Sequence, residues 1–290
     1  MTRIITSLSE ISESYDALFC DLWGCVHDGL APFAEAVAAL QAFRARGGTV
    51  MLVTNAPRPH APVRRQLDRL GVPSDAYDGI ATSGDSARAA MLRGAVGEKV
   101  YFIGQPHDQD FFAPLELIES PVKISQVPLE QAEGMVCCGP FDPLADPEEM
   151  RAQFLQAKTR GLKLLCANPD IVVDRGETRE WCAGALAKLY TEMGGESLYF
   201  GKPHPPIYDL ARRRLQALGK DIPDSRILCV GDGILTDIDG AMGEDLDSLF
   251  ITGGLAARET QTADQPDPKA LMAYLTREMR QPTYSIGKLR

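Results

Sequence analysis

A parallel α/β fold is predicted by three features of the sequence. Short apolar runs alternate with amphipathic stretches, glycines punctuate the ends of those stretches, and no internal repeat or low-complexity linker breaks the pattern. Ala17–Leu22 reads as a buried strand. Phe33–Arg46 reads as a helix, with Phe33, Val37, Leu40 and Phe43 three and four residues apart. Gly47-Gly48 stops it, as glycine does at helix C-termini. Val50–Val53 is the next strand and runs into Thr54-Asn55. Val63–Leu70 is a short helix closed by Gly71, Gly79–Thr82 a strand and Asp85–Arg93 a helix. Strands follow at Val100–Gly104, Met135–Cys138, Lys163–Ala167 and Ile171–Asp174, with helices at Pro147–Arg160 and Trp181–Met193. Leu198–Phe200 is a strand leading into Gly201-Lys202-Pro203. Pro205–Leu218 is a helix with prolines at its start, where a missing N–H costs nothing, and with a stripe of Ile207, Leu210, Ala211, Leu215 and Leu218. Ile227–Val230 and Leu249–Thr252 are strands, and Leu235–Met242 and Lys269–Arg280 are helices.

The 290 residues suit two compact units or one large α/β domain. Hydrophobic residues make up 44% and charged residues 24%, which excludes a disordered or fibrous chain. Thirty Lys and Arg against 40 Asp and Glu leave a net charge of −10, a poor match to nucleic acid or to an anionic membrane surface. No run approaches the ~20 apolar residues that span a bilayer. The opening MTRIITSLSEISESYD is polar, without an apolar signal core, so a cytoplasmic location is expected. The seven cysteines include no CxxC pair and mostly sit inside apolar runs. They read as small buried hydrophobes rather than as a zinc site or a disulfide framework.

In a parallel α/β sheet, ligands bind beyond the carboxyl ends of the strands. The residues that follow the apolar runs there are Asp21, Thr54-Asn55, Lys202, and Asp232 with Asp237. Three carboxylates can hold a hard cation through oxygen, and one of them can act as a nucleophile. A hydroxyl, an amide and a lysine can bind and neutralise a phosphoryl group. In bland readings Asp232 and Asp237 belong to turn and cap chemistry, Lys202 to a surface turn, and Trp23 packs beneath its loop. The Asp237-x-Asp239-Gly240 stretch lacks the spacing and closing Glu of an EF-hand, and Gly231-x-Gly233 lacks the third glycine of a dinucleotide fingerprint.

Four motifs in order resemble the haloacid dehalogenase (HAD) superfamily: Leu18-Phe19-Cys20-Asp21-Leu22-Trp23-Gly24, Leu52-Val53-Thr54-Asn55, Phe200-Gly201-Lys202-Pro203 and Gly231-Asp232-Gly233-Ile234-Leu235-Thr236-Asp237-Ile238. The GKP and GDxxxTDI spellings, with Gly-Ile-Ala-Thr-Ser-Gly at 79–84, Ala167-Asn168-Pro169-Asp170 and Ala183-Gly184-Ala185-Leu186, resemble class IIA, which includes nucleotide-phosphatase-like, 4-nitrophenylphosphatase, phosphoglycolate and pyridoxal phosphatase branches. The resemblance implies a doubly wound, Rossmann-like α/β core at 1–82 and 179–290 with an inserted α/β cap at 83–178. It implies an Mg²⁺-dependent phosphatase acting on a small phosphorylated metabolite. Asp21 would form an aspartyl-phosphate. Asp21, the backbone carbonyl of Trp23, and Asp232 would hold Mg²⁺, with Asp237 assisting. Thr54, the amide of Asn55, and Lys202 would bind the phosphoryl group. Asp142, Asn168, Asp170, Arg175 and Arg179 are candidate substrate contacts in the cap. A homodimer is a further implication, because related capped enzymes often pair.

One position departs from the family. Its nucleophile motif is Asp-x-Asp, whose second Asp is the general acid/base, and this chain has Trp23 there. An indole N–H donates only and does not titrate, whereas general acid–base help is worth ~10²–10⁴-fold. Turnover is therefore expected to be slow or restricted to good leaving groups. His27 and Asp28, on the same loop, are candidates to substitute. A catalytically weak phosphometabolite-binding or regulatory protein is the second reading, and a phosphotransferase the third.

Overall fold

The computed structural model describes residues 2–113, 120–175 and 178–290. The chain forms two compact units. The core unit comprises Met1–Thr54, Arg64–Ala81 and Lys202–Arg290, and the inserted unit comprises Asn55–Val63 and Thr82–Gly201.

Strands and helices are numbered along the chain. The seven-stranded sheet has the order β1 (Arg3–Ile4), β14 (Tyr284–Ile286), β13 (Asp247–Ile251), β12 (Ile227–Gly231), β2 (Ala17–Cys20), β3 (Thr49–Thr54), β4 (Gly79–Thr82). The pairs from β1 through to β3 are all parallel. β2, β3 and β12 are buried at every position, which explains why they read as continuous apolar runs: helices cover both faces. On one face Ala17, Phe19, Met51, Val53, Ile227 and Cys229 pack against Ile207, Tyr208, Ala211 and Leu215 of α6 (Pro205–Ala217). α1 (Ala34–Ala45) packs against β3 and buries Ala36, Val37, Leu40 and Phe43. From β2 the chain steps outward to β3 and β4, and from β12 it steps the other way to β13 and β14. The topological switch therefore lies between β2 and β12, where such sheets bind ligands.

The inserted unit has a five-stranded parallel sheet, ordered β11 (Glu196–Tyr199), β8 (Lys163–Cys166), β7 (Gly134–Cys137), β5 (Lys99–Ile103), β6 (Ser125–Gln126). α4 (Arg151–Thr159) and α5 (Ala183–Glu192) bury Phe154, Leu186 and Tyr190 against Met135 and Leu164. α3 (Ser83–Leu92) buries Ala87 and Met91 against Val100, Val136 and Leu165. β9 (Val172–Arg175) and β10 (Thr178–Trp181) form an antiparallel ribbon. The remaining helices are α2 (His60–Leu70), α7 (Asp239–Gly243) and α8 (Pro268–Glu278).

Several elements differ from expectation. Trp181 does not open a helix. Its N–H donates to Pro143 O and it pairs with Val172, so α5 starts only after Cys182. The compact division falls at Gly201/Lys202 rather than at 179, because β11 joins β8 in the second sheet. The expected helix at 235–242 opens as a single π-turn, Ile234–Ile238, before α7. All seven cysteines are buried and none is disulfide-bonded. Among the described residues, no helix is long and apolar enough to cross a membrane.

Candidate active site

β2, β3 and β12 are adjacent and parallel, so their C-terminal ends bring Asp21, Thr54 and Asp232 to one edge of the core sheet. The Asp21 N–H donates to Val230 O at 2.8 Å, extending the β2–β12 ladder to the acid itself. Lys202 stands three residues before α6, and its Nζ lies 2.5 Å from Asp21 Oδ1 and 2.6 Å from Asp237 Oδ1. Asp21, Thr54, Lys202, Asp232 and Asp237 are all at most 7% exposed. The π-turn explains how Asp237 reaches the lysine. Ile238 N–H donates to Gly233 O, five residues back, and Asp237 Oδ2 accepts the Gly233 N–H at 3.0 Å. π-turns recur at functional sites. Asp232 Oδ2 accepts the Leu255 N–H at 3.0 Å. Gly24 lies against that carboxylate at φ +76°, where a side chain would both strain the backbone and collide with Asp232.

Three buried carboxylates against one ammonium leave a formal charge of −2. Burial, then the neighbouring Asp21 and Asp237, pushes Asp232 well above the usual carboxylate range. Burial also raises Asp237, to about 6, with Lys202 opposing the shift. Such an excess of negative charge is what a divalent cation neutralises. Asp21, Cys25 and Asp232 present ligand atoms within 4.8 Å of one another. Burial pushes the Cys25 thiol well up, and Asp21 and Asp232 supply the hard carboxylate oxygens of the group. The residues present therefore fit a hard divalent ion. Reading Cys25 only as a buried hydrophobe missed this proximity. Its place four residues after Asp21, on the same loop, was the available signal.

Trp23 is half-buried and packs edge-on to His27, with ring centroids 5.2 Å apart at 74°. Its six-membered ring also lies against Gly29, where a Cβ would strike it. His27 is buried, and its Nδ1 accepts the Gly29 N–H at 3.0 Å, which places the proton of the neutral ring on Nε2. Burial lowers its pKa to about 4. Asp28 Oδ1 accepts the N–H groups of Leu30 and Ala31, both at 2.8 Å, and these bonds hold its carboxyl below the usual range. At neutral pH neither carries an acidic proton on a carboxyl or an imidazolium. Both shape the loop.

In the inserted unit, the buried Asn55 Nδ2 donates to Asp170 Oδ1 at 2.8 Å. Asn168 Oδ1 caps the Asp170 N–H at 3.0 Å. Asp142 Oδ1 caps the Leu144 N–H at 2.9 Å. Arg175 pairs with Glu180 and Arg179 with Asp174 across the β9–β10 ribbon. The five expected cap contacts thus fall at two places, the 142–170 turns and the ribbon.

Two family models match this chain: a haloacid dehalogenase-like hydrolase model over residues 18–117 and an HAD-hydrolase-like model over 199–277. A crystal structure of a hydrolase of the haloacid dehalogenase-like family from Brucella suis 1330 is 39% identical, with a TM-score of 0.86, over 99% of this chain and 100% of that one. This chain belongs to the haloacid dehalogenase-like hydrolases. Within that family it has the motif spellings and inserted α/β unit of class IIA. It is 25% identical to the 5'-nucleotidase YutF of Bacillus subtilis (strain 168) over 91% of this chain and 97% of that protein. It is also 25% identical, with a TM-score of 0.68, to a glycerol phosphate phosphatase from Mycobacterium tuberculosis whose crystal structure is a complex with magnesium, covering 99% of this chain and 78% of that one.

Proposed function

We propose that this HAD hydrolase is an Mg²⁺-dependent phosphatase of a small phosphorylated metabolite, restricted to esters and anhydrides with good leaving groups. The observation that carries the reading is the buried Lys202, held between Asp21 and Asp237 beside the carboxylate of Asp232. Similarity to a 5'-nucleotidase and to a glycerol phosphate phosphatase supports phosphate-ester chemistry.

Asp21, Asp232 and the Trp23 carbonyl, assisted by Asp237, are the groups that would hold Mg²⁺. The bound ion would supply positive charge for the phosphoryl oxygens and offset the carboxylates. Asp21 is the nucleophile and takes the phosphoryl group as an aspartyl-phosphate. Lys202 orients Asp21 and neutralises charge on the transferring group. The Thr54 hydroxyl and the Asn55 amide donate to its oxygens. Positioning and electrostatics of this kind carry most of the catalysis of phosphoryl transfer. Trp23 cannot protonate a leaving alkoxide, and neither His27 nor Asp28 has a proton suited to the task. Acyl and aryl phosphates expel stable anions and need no such proton. Water then attacks the phosphorus of the aspartyl-phosphate, the bond to Asp21 breaks, inorganic phosphate leaves and the water's proton passes to solvent, a step that Trp23 cannot assist and that keeps turnover slow on every substrate. The inserted unit acts as the cap that selects the leaving group, and a cytoplasmic homodimer completes the proposal.

The test is Mg²⁺-dependent phosphate release from acetyl phosphate, p-nitrophenyl phosphate and glycerol phosphate. The proposal expects turnover of the first two, loss of it in Asp21→Asn, and a gain on glycerol phosphate in Trp23→Asp. Undiminished turnover in Asp21→Asn, or wild-type preference for glycerol phosphate, would overturn it.

A further inference from the structure

Asp170 was expected among the substrate contacts, but its surroundings assign it a different task. Its own backbone is clamped. The Asp170 N–H is capped by Asn168 Oδ1 at 3.0 Å, and Asp170 O accepts the Gly184 N–H at 3.1 Å. Gly184 lies so close to the carbonyls of Pro169 and Asp170 that a Cβ there would overlap both. From this fixed turn the Asp170 carboxylate accepts Nδ2 of Asn55, 115 residues away in sequence and 3% exposed. The other edge of the same carboxamide, Oδ1, lies against Gly201, where a Cβ would strike it. One side chain therefore spans the residue that follows Thr54 and the residue that precedes Lys202.

We infer that Asp170 is a positioning residue: through Asn55 it sets the Thr54-Asn55 turn and the approach of Lys202 to the phosphoryl group. The inference rests on the phosphatase reading above. An ionised carboxylate is itself a poor partner for a phosphate anion, and here it is already spent on an amide donor. A hydrogen bond to a charged acceptor is stronger than a neutral one, and an amide left buried without it carries a desolvation cost. Truncation at 170 should therefore be felt at the phosphate rather than at the leaving group.

The experiment compares Asp170→Ala, Asp170→Asn, Asn55→Ala and the double variant Asn55→Ala/Asp170→Ala in the full chain. The readouts are kcat/KM on p-nitrophenyl phosphate and acetyl phosphate, inhibition by inorganic phosphate, calorimetric binding of inorganic phosphate with Mg²⁺, and half-saturating Mg²⁺. Asp170→Ala should lower kcat/KM about tenfold or more on both substrates and weaken phosphate binding by a similar factor. Half-saturating Mg²⁺ should not move. Asp170→Asn, which keeps an acceptor oxygen, should be milder. The double variant should lose less than the product of the two single losses, because both changes break the Asn55–Asp170 bond. If Asp170→Ala does not fold, the Asp170→Asn and Asn55→Ala pair carries the comparison. The inference is overturned by variants indistinguishable from an active wild type, by losses that differ about fivefold or more between the two substrates, or by losses that multiply in the double variant. A wild type that neither hydrolyses these substrates nor binds phosphate overturns the phosphatase reading, and this inference with it.

Discussion

Replacing Lys202 with Met removes the ammonium set among three buried carboxylates. The consequence should depend on pH. In the intact protein Asp237 is raised from 3.8 to about 6. A carboxyl raised on folding favours the native state below its unfolded value, and that benefit is lost as pH climbs through the folded value. For Asp237 the window runs from about pH 4 to about pH 6 and is worth about 3 kcal/mol at ~1.36 kcal/mol per unit. Lys202 opposes the shift, so without it the folded value rises and the window extends upward. The native variant then binds a proton that the unfolded chain does not, and its stability keeps falling above pH 6. The gap between variant and wild type should widen by up to ~1.36 kcal/mol per pH unit, or about 2.7 kcal/mol between pH 6 and 8. At pH 8 the total should approach the ~3–5 kcal/mol typical of breaking a buried pair. The chain has two tryptophans, Trp23 in the core unit and Trp181 in the inserted unit. Urea unfolding in a Trp181→Phe background therefore reports the core unit through Trp23 fluorescence. Metal-free titrations at pH 6, 7 and 8 give the slope, and added Mg²⁺ should stabilise wild type and variant alike. A gap that stays constant across this range, or below about 1 kcal/mol at pH 8, would refute the reasoning.

Three further outcomes are expected. Gly24→Ala should lower both thermal stability and the stabilisation gained from Mg²⁺, since the new Cβ strains a φ of +76° and displaces Asp232; an unchanged Mg²⁺-dependent melting shift would count against it. His27 is depressed from 6.5 to about 4, so its neutral form suits the fold, and stability should fall by up to about 3 kcal/mol as pH drops through that interval. His27→Phe should remove this part of the acid dependence in a pH series of unfolding curves. Tyr208 Oη is buried with no hydrogen-bond partner among the described residues, whereas Tyr190 Oη donates to Leu162 O at 2.5 Å. Tyr208→Phe should leave the melting temperature unchanged or raised, while Tyr190→Phe should cost about 1 kcal/mol.

Asp21, Thr54, Lys202 and Asp232 were legible because each follows or closely trails a buried apolar run, and a parallel sheet gathers its strand ends at one edge. The strands themselves were readable for the same reason, being buried on both faces. β1 and β14, of two and three residues, are too short to show a period. Trp181 looked helical because its strand is specified by the Pro143 carbonyl and by Val172, neither of which is local. The spelling of residues 231–238 marked Asp237 without showing that a π-turn carries it to Lys202. The tasks of His27, Asp28 and Asp170 depend on single hydrogen bonds to backbone or to a distant side chain, which no spacing rule encodes.

The position of β2 between β3 and β12 has a consequence in time. The strand that delivers Asp21 finds one neighbour within about 30 residues and the other only some 210 residues later. At ~5–20 residues per second, a ribosome takes roughly 10–40 s to make the second partner. Thr82–Gly201 is made within that interval, while Ala17–Cys20 waits with one edge unpaired. Chaperone demand and aggregation during synthesis should therefore track the core unit, and chains arrested before Ile227 should expose that edge.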